Sequence, residues 1–339
     1  MRPAWKVGLL AVLTVVVVSV IASGALSKTP TNDAQRAAAA KKVKVALILP
    51  CAINDRTWCQ QAYEAAKKLQ ARGLIDLTFT SNSPQDTAGV SQLMAQYAAR
   101  GAQIVIGHSA WQDAAFRIAS RFPKTVFAYA GGGKVRGNVT TYEEPIYLPA
   151  YLAGMLAAGV TKTRVIGASA GQDIPLCHAE VEAFRLGAQR IKRNIRELKT
   201  YLGDWNDVTK AKEATLAQAD RKADVFIACG DGPSRGMIQA IKQRNLSGFG
   251  YVGNMNGLAA RNMIGSLVYN LEPIFKKLVQ DVGRGKYKAK PYDLGIKSFT
   301  LKLNKRYKVR KIPASVMAKM KAAQRQISRR KLRVPYITH

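Results

Sequence analysis

The stretch at residues 44–71, KVALILPCAINDRTWCQQAYEAAKKLQA, decides the fold class. Lys44–Leu49 is a short apolar run that ends at Pro50. Gln60–Ala71 then carries apolar residues at helical spacing. This pattern predicts a strand that leads into a helix. A chain that repeats such units is expected to form a parallel sheet covered by helices on both faces.

The same unit recurs along the chain in two successive series. Further strands are predicted at Asp76–Thr80, Ile104–Gly107 and Val126–Tyr129, and then at Arg164–Ala168, Glu197–Tyr201, Val225–Cys229, Tyr251–Asn254 and Ser266–Tyr269. Further helices are predicted at Gly89–Arg100, Asp113–Arg121, Tyr151–Val160, Ala179–Arg193, Val208–Ala219 and Pro233–Arg244. The sequence therefore predicts an α/β protein with two doubly wound parallel-sheet lobes.

The first 27 residues have the composition of an export segment. Arg2 and Lys6 precede an uncharged run from Val7 to Leu26 that is dominated by Val, Leu and Ala. This pattern fits a cleaved signal peptide and also fits a retained membrane anchor, and both interpretations stay open. Residues 28–42 read as a linker. We expect the rest of the chain to be periplasmic or extracellular, either free or tethered to a membrane.

The charge of the chain is strongly positive, with 53 Lys and Arg against 21 Asp and Glu and a formal net charge of +32. Residues 301–339 hold 13 of these basic residues and no acidic one. The remaining excess is dispersed along the chain, which is typical of a solvated surface, so we expect no nucleic-acid partner. Residues 313–339 are predicted to form a basic C-terminal helix and a short strand.

Four cysteines, Cys51, Cys59, Cys177 and Cys229, show no C-x-x-C spacing. In an exported protein they are better explained as disulfides than as zinc ligands. Pairing Cys51 with Cys59 and Cys177 with Cys229 keeps each bridge within one predicted lobe, where it would not oppose closure. The three His residues lack ligand spacing, so neither a metal nor another cofactor is expected.

Candidate site residues lie where the predicted strands end, because open parallel sheets bind ligands at their carboxyl edge. Trp58 and Trp205 fall at or near such ends, although exposed turns rarely contain large aromatic residues. Asp113 fits a ligand contact and a helix N-cap equally well. Asp231 fits a turn or capping role, and it also fits contact with the polar edge of a ligand.

Six segments together resemble the basic membrane protein (BMP) family, which includes purine-nucleoside-binding lipoproteins of bacterial ABC importers. They are VALILPCAINDRTWCQQAYE at 45–64, HSAWQDAAFRIASRFP at 108–123, YLAGMLAAGVTKT at 151–163, YLGDWNDVTKAKEATLAQ at 201–218, GYVGN at 250–254 and ISRRKLRVP at 327–335. The resemblance spans about residues 43–335, and the order and spacing of the segments carry it.

The resemblance implies the type I periplasmic-binding-protein fold, in which two lobes joined by hinge strands close on a ligand. Lobe I is then expected at residues 43–141 and 269–300, and lobe II at residues 142–268 and 301–312. It also implies binding roles for four residues. Asp55 and Trp58 fall on the acidic and aromatic positions of the first loop. Asp113 falls on an Asp that contacts the base, and Trp205 on a second aromatic, so that two rings would enclose a planar ligand.

Three residues depart from the family pattern. Cys59 stands where many members have Asn, Asn254 where an Asp binds ribose hydroxyls, and Tyr269 where a Lys is common. An Asp accepts hydrogen bonds from both hydroxyls of a diol, whereas Asn offers one acceptor oxygen. The implied ligand is therefore a nucleoside, a nucleobase or a similar planar heterocycle. Asn54 and Asp231 complete the set of candidate ligand-binding residues.

The implied function is that of an extracytoplasmic solute-binding protein of an ABC importer. Its expected partners are the small ligand and the permease subunits, with the chain itself a monomer. The sequence contains no P-loop and no dense Asp cluster, so we expect no enzymatic activity. The alternative is a membrane-anchored ligand sensor or regulator with the same fold.

Overall fold

Lobe I is built on five parallel strands in the order β2-β1-β3-β4-β5. The strands are β1 (Val43–Ile48), β2 (Ile75–Thr80), β3 (Ile104–Gly107), β4 (Val126–Ala130) and β5 (Val139–Tyr142). The helices that connect them are α1 (Trp58–Ala71), α2 (Thr87–Ala99) and α3 (Gln112–Ala119). The computed structural model describes residues 42–339, so the predicted export segment and residues 28–41 of the predicted linker lie outside the described residues.

Lobe II is built on six strands in the order β11-β10-β9-β8-β6-β7, all parallel except for the antiparallel pair β10 and β11. Its strands are β6 (Val165–Ala170), β7 (Arg196–Tyr201), β8 (Val225–Cys229), β9 (Ser247–Gly250), β10 (Met263–Tyr269) and β11 (Phe299–Leu303). The helices after β5 are α4 (Tyr147–Val160), α5 (Pro175–Ile191), α6 (Val208–Asp220), α7 (Asp231–Gln243), α8 (Glu272–Gly283) and α9 (Ala314–Ser328).

Helix α4 is buried along almost its whole length because α5, α9 and strands of lobe II surround it. Two glycines set the close approach of α4 to α5. A Cβ atom on Gly154 would collide with the backbone of Phe184, and one on Gly187 would collide with the backbone of Tyr151. Glycine at both positions therefore lets the two helix backbones pack against each other.

Three short connections join the lobes, at residues 143–146, 270–271 and 294–298, and we call them the hinge. Their backbones are linked to one another. The Glu143 amide donates to the carbonyl of Tyr292, two residues before the third connection, at 3.1 Å, and the Asn270 amide donates to the Ser298 carbonyl at 2.7 Å. Helix α8, which follows the second connection, returns to pack on α1 and β1 of lobe I. These features are those of the type I periplasmic-binding-protein fold.

Several predicted elements differ from the observed ones. The strand predicted at Tyr251–Asn254 lies earlier, at Ser247–Gly250, and β5 was not predicted at all. Strand β11 joins the lobe II sheet from Phe299, two residues before the predicted return at 301. No strand forms within residues 331–339; this tail packs through side chains such as Val334 instead of pairing with a sheet edge.

Helix α9 packs on α4 with one face and exposes its basic side chains on the other. The buried face consists of Val316, Met320, Ala323 and Ile327, and Met317 is half-buried beside it. The predicted apolar face of this helix is therefore the one that contacts lobe II. Within residues 42–339, no helix has both the length and the apolar character needed to cross a bilayer.

Candidate functional site

The loop between β1 and α1, residues 50–57, forms the wall that lobe I presents to lobe II; we call it the first loop. The Asp55 carboxylate accepts hydrogen bonds from the amides of Thr57, Cys59 and Gln60 at 2.8, 2.9 and 3.1 Å. It thereby satisfies amides at the N-terminus of α1 that would otherwise lack acceptors. A disulfide between Cys51 and Cys59 closes the same loop, with the Cα atoms 5.8 Å apart. The first loop is thus fixed to the start of α1 both by the Asp55 hydrogen bonds and by a disulfide.

Trp58 opens helix α1 and lies against His108, with ring centroids 4.1 Å apart and planes inclined by 14°. Its indole N–H donates to the His108 carbonyl at 3.1 Å, and His108 Nε2 donates back to the Trp58 carbonyl at 3.0 Å. His108 Nδ1 lies 2.7 Å from the Tyr142 hydroxyl. Burial lowers the pKa of His108 to about 3, so the imidazole is neutral and accepts from that hydroxyl at Nδ1.

These rings belong to a longer aromatic stack that runs from lobe II to lobe I. Tyr269 lies on Phe299 with centroids 4.5 Å apart, and its ring is 5.9 Å from that of Trp58. The Tyr269 hydroxyl donates to the Glu143 carbonyl of the hinge at 2.8 Å. Tyr269 is fully buried in this arrangement, so it stands between the lobes as a hinge residue.

In lobe II, Trp205 lies flat over the carboxyl ends of β6 and β8. A Cβ atom on Gly171 would lie 2.5 Å from Trp205 Cε3, and one on Gly230 would lie 2.8 Å from the same atom. Glycine at these two strand ends therefore makes room for the indole. Among the described residues, Trp205 has no aromatic neighbour, so the structure does not bring its ring onto that of Trp58.

Asp231 and Arg235 project from the first turns of α7 toward the first loop of lobe I. Arg235 Nη2 donates to the Asp55 carbonyl at 2.7 Å, which links the two lobes directly. The Thr57 hydroxyl approaches Asp231 without reaching hydrogen-bonding geometry. Thr57 Oγ1 and Asp231 Oδ1 are buried, and neither has a hydrogen-bond partner among the described residues.

Burial raises the pKa of Asp231 to about 6, with the nearby Thr57 hydroxyl and Arg235 acting against the rise and Asp55 adding to it. The carboxyl group is therefore close to its titration range at neutral pH, and a ligand N–H or O–H would satisfy its free oxygen. Its carboxylate makes no capping hydrogen bond at the start of α7, where Gly230 is the N-cap residue. The capping role considered for Asp231 is therefore not observed.

A second contact between the lobes involves residues 251–257, which we call the facing loop. A Cβ atom on Gly253 would collide with the Arg56 carbonyl, so the two backbones touch at this point. Asn254 follows directly and is exposed. The first loop and the facing loop therefore meet edge to edge, and the lobes are in a closed arrangement.

The remaining two predicted residues, Asn54 and Asp113, are exposed. Asn54 lies in the first loop. Asp113 is exposed in the first turn of α3 and borders a cavity of about 440 Å³ together with Phe116, Lys134 and Arg136. The N-cap of α3 is Trp111, so Asp113 does not fill the capping role that its position suggested.

The second disulfide joins Cys177 at the start of α5 to Cys229 at the end of β8, with the Cα atoms 5.6 Å apart. Cys51, Asp55 and Cys59 place potential ligand atoms within 4.8 Å of one another. Both of these cysteines are oxidised, however, and the Asp55 carboxylate already accepts three amide hydrogens. This cluster therefore offers no thiolate to a metal.

Two buried acids were not predicted as functional residues. Glu180 in α5 is fully buried with both carboxyl oxygens unpartnered among the described residues, and burial raises its pKa well above the ordinary value. Glu144 in the hinge is also buried. Both carboxyl groups, together with Asp231, act on the buried Tyr251 hydroxyl and raise its pKa after burial itself. For Glu180 the available signal was its position in the apolar stripe between Cys177 and Phe184.

Comparison with known proteins places this geometry in a family. A purine-binding protein of Brucella abortus (strain 2308) is 25% identical over 293 residues, which cover 84% of this chain and 83% of the relative. The transcriptional activator protein med of Bacillus subtilis (strain 168) is 24% identical over 243 residues, 71% of this chain and 75% of the relative.

Solved structures show the same fold. An ABC transporter solute-binding protein from Conexibacter woesei superimposes with a TM-score of 0.73 at 24% identity, over 87% of this chain and 99% of that one. A transcriptional activator of the comK gene from Bacillus halodurans gives 0.72 at 22% identity, over 84% and 96%. The profile of the Bmp family, described as ABC transporter substrate-binding protein PnrA-like, matches residues 42–336. The chain therefore belongs to the Bmp family of PnrA-like ABC transporter substrate-binding proteins.

Proposed function

We propose that this protein captures a small planar heterocycle, a nucleoside or a nucleobase, between its lobes and delivers it to an ABC permease outside the cytoplasm. The main support is a pair of buried polar atoms that have no hydrogen-bond partner among the described residues, Thr57 Oγ1 in lobe I and Asp231 Oδ1 in lobe II. Unmet buried hydrogen-bonding groups are costly, and a polar ligand edge that reached both groups would remove that cost. The purine-binding relative supports this ligand class.

The residues around this pair supply the rest of a ligand wall. Trp58 and Trp205 are half-buried near the same interface, one on each lobe, and offer aromatic surface to a planar ring. Arg235 lies one helical turn beyond Asp231 and donates to the first loop. We call Thr57, Trp58, Trp205, Asp231 and Arg235 the interlobe site.

Binding at this site would work through the hinge. The contacts between Arg235 and Asp55 and between Gly253 and Arg56 close the interface, so the lobes separate to admit a ligand. A ligand that contacts both Thr57 and Asp231 binds the closed form better than the open form, and so shifts the equilibrium toward closure. No bond of the ligand is made or broken in this cycle, and we expect no turnover.

Isothermal titration of the full-length protein with purine and pyrimidine bases and nucleosides tests the proposal. We expect at least one base or nucleoside to bind, and Asp231→Asn to weaken that binding by about tenfold or more, which is the loss of one hydrogen bond to a charged group. Incubation of the bound compound, followed by chromatography, should recover it unchanged.

Asp76→Asn is the matched control, because Asp76 is exposed on the edge strand β2 of lobe I and is not a residue of the interlobe site. Its affinity should equal that of the unmodified protein. Binding of a nucleoside that is indifferent to Asp231→Asn would contradict the assignment of the interlobe site. Failure of all bases and nucleosides to bind would contradict the ligand class.

The alternative function is that of a membrane-anchored ligand sensor, since one relative is a transcriptional activator. Uptake of the radiolabelled ligand in a strain that lacks this chain separates the two functions. Lost uptake supports the importer. Unchanged uptake together with an altered transcriptional response to the ligand supports the sensor.

A further inference from the structure

A cavity of about 320 Å³ lies beside the hinge, separate from the interlobe site; we call it the hinge cavity. Three carboxylate residues line it, Glu143, Glu144 and Asp293. Two tyrosines, Tyr147 and Tyr336, also line it. No Lys or Arg of the described residues borders the hinge cavity, although the chain carries a formal net charge of +32. The acidic and basic side chains that line the cavity are therefore all acidic, in contrast to the chain as a whole.

Glu144 is the innermost of the three acids. Its residue is 8% exposed, and its carboxyl group has neither a hydrogen bond nor an ion pair among the described residues. Burial, followed by the charge of Glu143, raises the pKa of Glu144 to about 8. A carboxyl group in this state is stable when it holds a proton or when a cation lies against it.

The aromatic walls favour an organic cation over a bare metal ion. The Tyr147 and Tyr336 rings meet edge to face with centroids 5.1 Å apart. Carboxylates combined with aromatic faces bind ammonium and guanidinium groups through ion pairing and cation–π attraction. A cavity of this volume is at the lower end of the range for small-molecule sites, which is about 300 to 1,000 Å³. Leu176 and Pro145 supply apolar wall for an alkyl portion.

We propose that the hinge cavity is a second ligand site, which binds a small organic cation bearing an ammonium or guanidinium group. Gly131 of lobe I and Leu176 of lobe II both border it, so a bound cation holds together walls that come from both lobes. Tyr336, from the C-terminal tail, covers one side. The hinge cavity shares no lining residue with the interlobe site, and this proposal does not rest on the heterocycle proposed there.

The pH dependence follows from the acids that face the hinge cavity. The cation binds the ionised form of Glu144, so affinity rises with pH up to about 8 and falls by up to about tenfold per pH unit below that value. Glu143 and Asp293 face the same space, and burial also raises the pKa of Glu143. The surrounding hydroxyls of Tyr147, Tyr336, Tyr269 and Tyr251 have raised pKa values and stay neutral over this range.

The test is calorimetric titration of the full-length protein at about pH 8 with ethylguanidinium and ethylammonium chloride. N-ethylurea serves as the neutral analogue of ethylguanidinium, and sodium and calcium chloride serve as inorganic cations. We expect the two organic cations to bind and N-ethylurea not to bind. Equal binding of N-ethylurea, binding of calcium in preference to both organic cations, or no binding of either organic cation would each overturn the proposal.

Variants locate the binding. Glu144→Gln should weaken ethylguanidinium binding by about tenfold or more, the loss of one charge-assisted hydrogen bond. It should also reduce the pH dependence of binding to the part that comes from Glu143. Asp293 lies at the exposed rim of the cavity, so Asp293→Asn should weaken ethylguanidinium binding less. This variant tests the site if Glu144→Gln does not fold. Glu213→Gln, an exposed acid on α6, is the matched control and should bind as the unmodified protein does. Unchanged affinity in both Glu144→Gln and Asp293→Asn would refute the site.

Discussion

The two walls of the interlobe site differ in how completely their polar groups are satisfied. In lobe I, Asp55 accepts three amide hydrogens and the Trp58 indole donates to a carbonyl, and Thr57 Oγ1 is the group left over. In lobe II, Asp231 Oδ1 is buried without a partner among the described residues, and so are both carboxyl oxygens of Glu180, which lies outside the interlobe site. Lobe I thus supplies a wall held by its own hydrogen bonds, and lobe II holds more buried polar groups without partners, of which Asp231 belongs to the proposed interlobe site.

The largest predicted effects come from removing the two disulfides, one in each lobe. Replacing Cys177 and Cys229 by Ser opens a bridge over 52 residues and should lower the free energy of unfolding by about 4 kcal/mol in the loop-closure model. Replacing Cys51 and Cys59 opens a bridge over 8 residues and should cost about 2.5 kcal/mol. Urea denaturation of the full-length variants measures both losses.

Ligand affinity should show the reverse order. The 51–59 bridge holds the first loop, so its loss should weaken ligand binding more than loss of the 177–229 bridge does. The unmodified protein treated with dithiothreitol provides the control for both pairs. If loss of the 177–229 bridge weakened binding more, binding would not depend mainly on the bridge that holds the first loop.

Gly253 tests whether the two walls must touch. Gly253→Ala places a methyl group against the Arg56 carbonyl, so we expect the lobes to be held apart. Affinity for the interlobe ligand should fall by about a hundredfold, or about 2.7 kcal/mol. Small-angle X-ray scattering should show a larger radius of gyration in the presence of ligand.

Gly257→Ala is the control for this substitution, because a Cβ atom at Gly257 has no neighbour within 4 Å. It lies in the same facing loop and should leave both affinity and scattering unchanged. Full affinity in Gly253→Ala would mean that ligand binding does not need the closed interface.

The smallest predicted effect is on stability, and it comes from replacing Glu180, whose carboxyl oxygens are buried in lobe II without hydrogen-bond partners among the described residues. Its pKa in the folded protein is raised well above the ordinary value of 4.5, so its stabilising contribution is present below that value and is lost as the pH rises toward the raised pKa. Glu180→Gln keeps the shape and removes the titration. It should be more stable than the unmodified protein at pH 7, where the burial of an ionised carboxylate is avoided, and should match it near pH 4.

Thermal unfolding across pH measures this difference, and Glu213→Gln is again the exposed control. A stability gain that did not vary with pH would show that Glu180 is not the source of the unfavourable charge. A loss of stability at pH 7 would show that its carboxylate is satisfied by a group inside lobe II.

The sequence predicted the order of elements because burial on both faces gives parallel strands continuous apolar runs. Val225–Cys229 and Ile104–Gly107 were predicted with the bounds that the structure has. The strand at Ser247–Gly250 was missed in favour of Tyr251–Asn254, since aromatic and β-branched residues outweigh glycine in a propensity pattern. Gly248 is there because a Cβ atom would approach Ile241 and Met237 of α7 too closely, which only the packing reveals.

The candidate site was predictable from the sequence only where polar or aromatic residues fall at the carboxyl ends of predicted strands. The first loop, Trp205 and Asp231 follow directly from the rule that ligands bind at the carboxyl edge of a parallel sheet. The structure adds what each side chain contacts: Trp58 on His108, and Tyr269 on Phe299. Glu144 was not predicted, because its burial arises from the convergence of the hinge, α5 and the C-terminal tail, which are far apart in the sequence.

The aromatic stack from Phe299 through Tyr269 and Trp58 to His108 limits how this protein can diverge. Trp58 belongs both to the proposed ligand wall and to the stack that joins the lobes, so we expect a substitution there to alter ligand preference and the balance between open and closed forms together. Trp205 rests on glycine backbone in one lobe only. If both rings contact the ligand as proposed, specificity can change at Trp205 alone, whereas a change at Trp58 requires compensation among the residues of the stack.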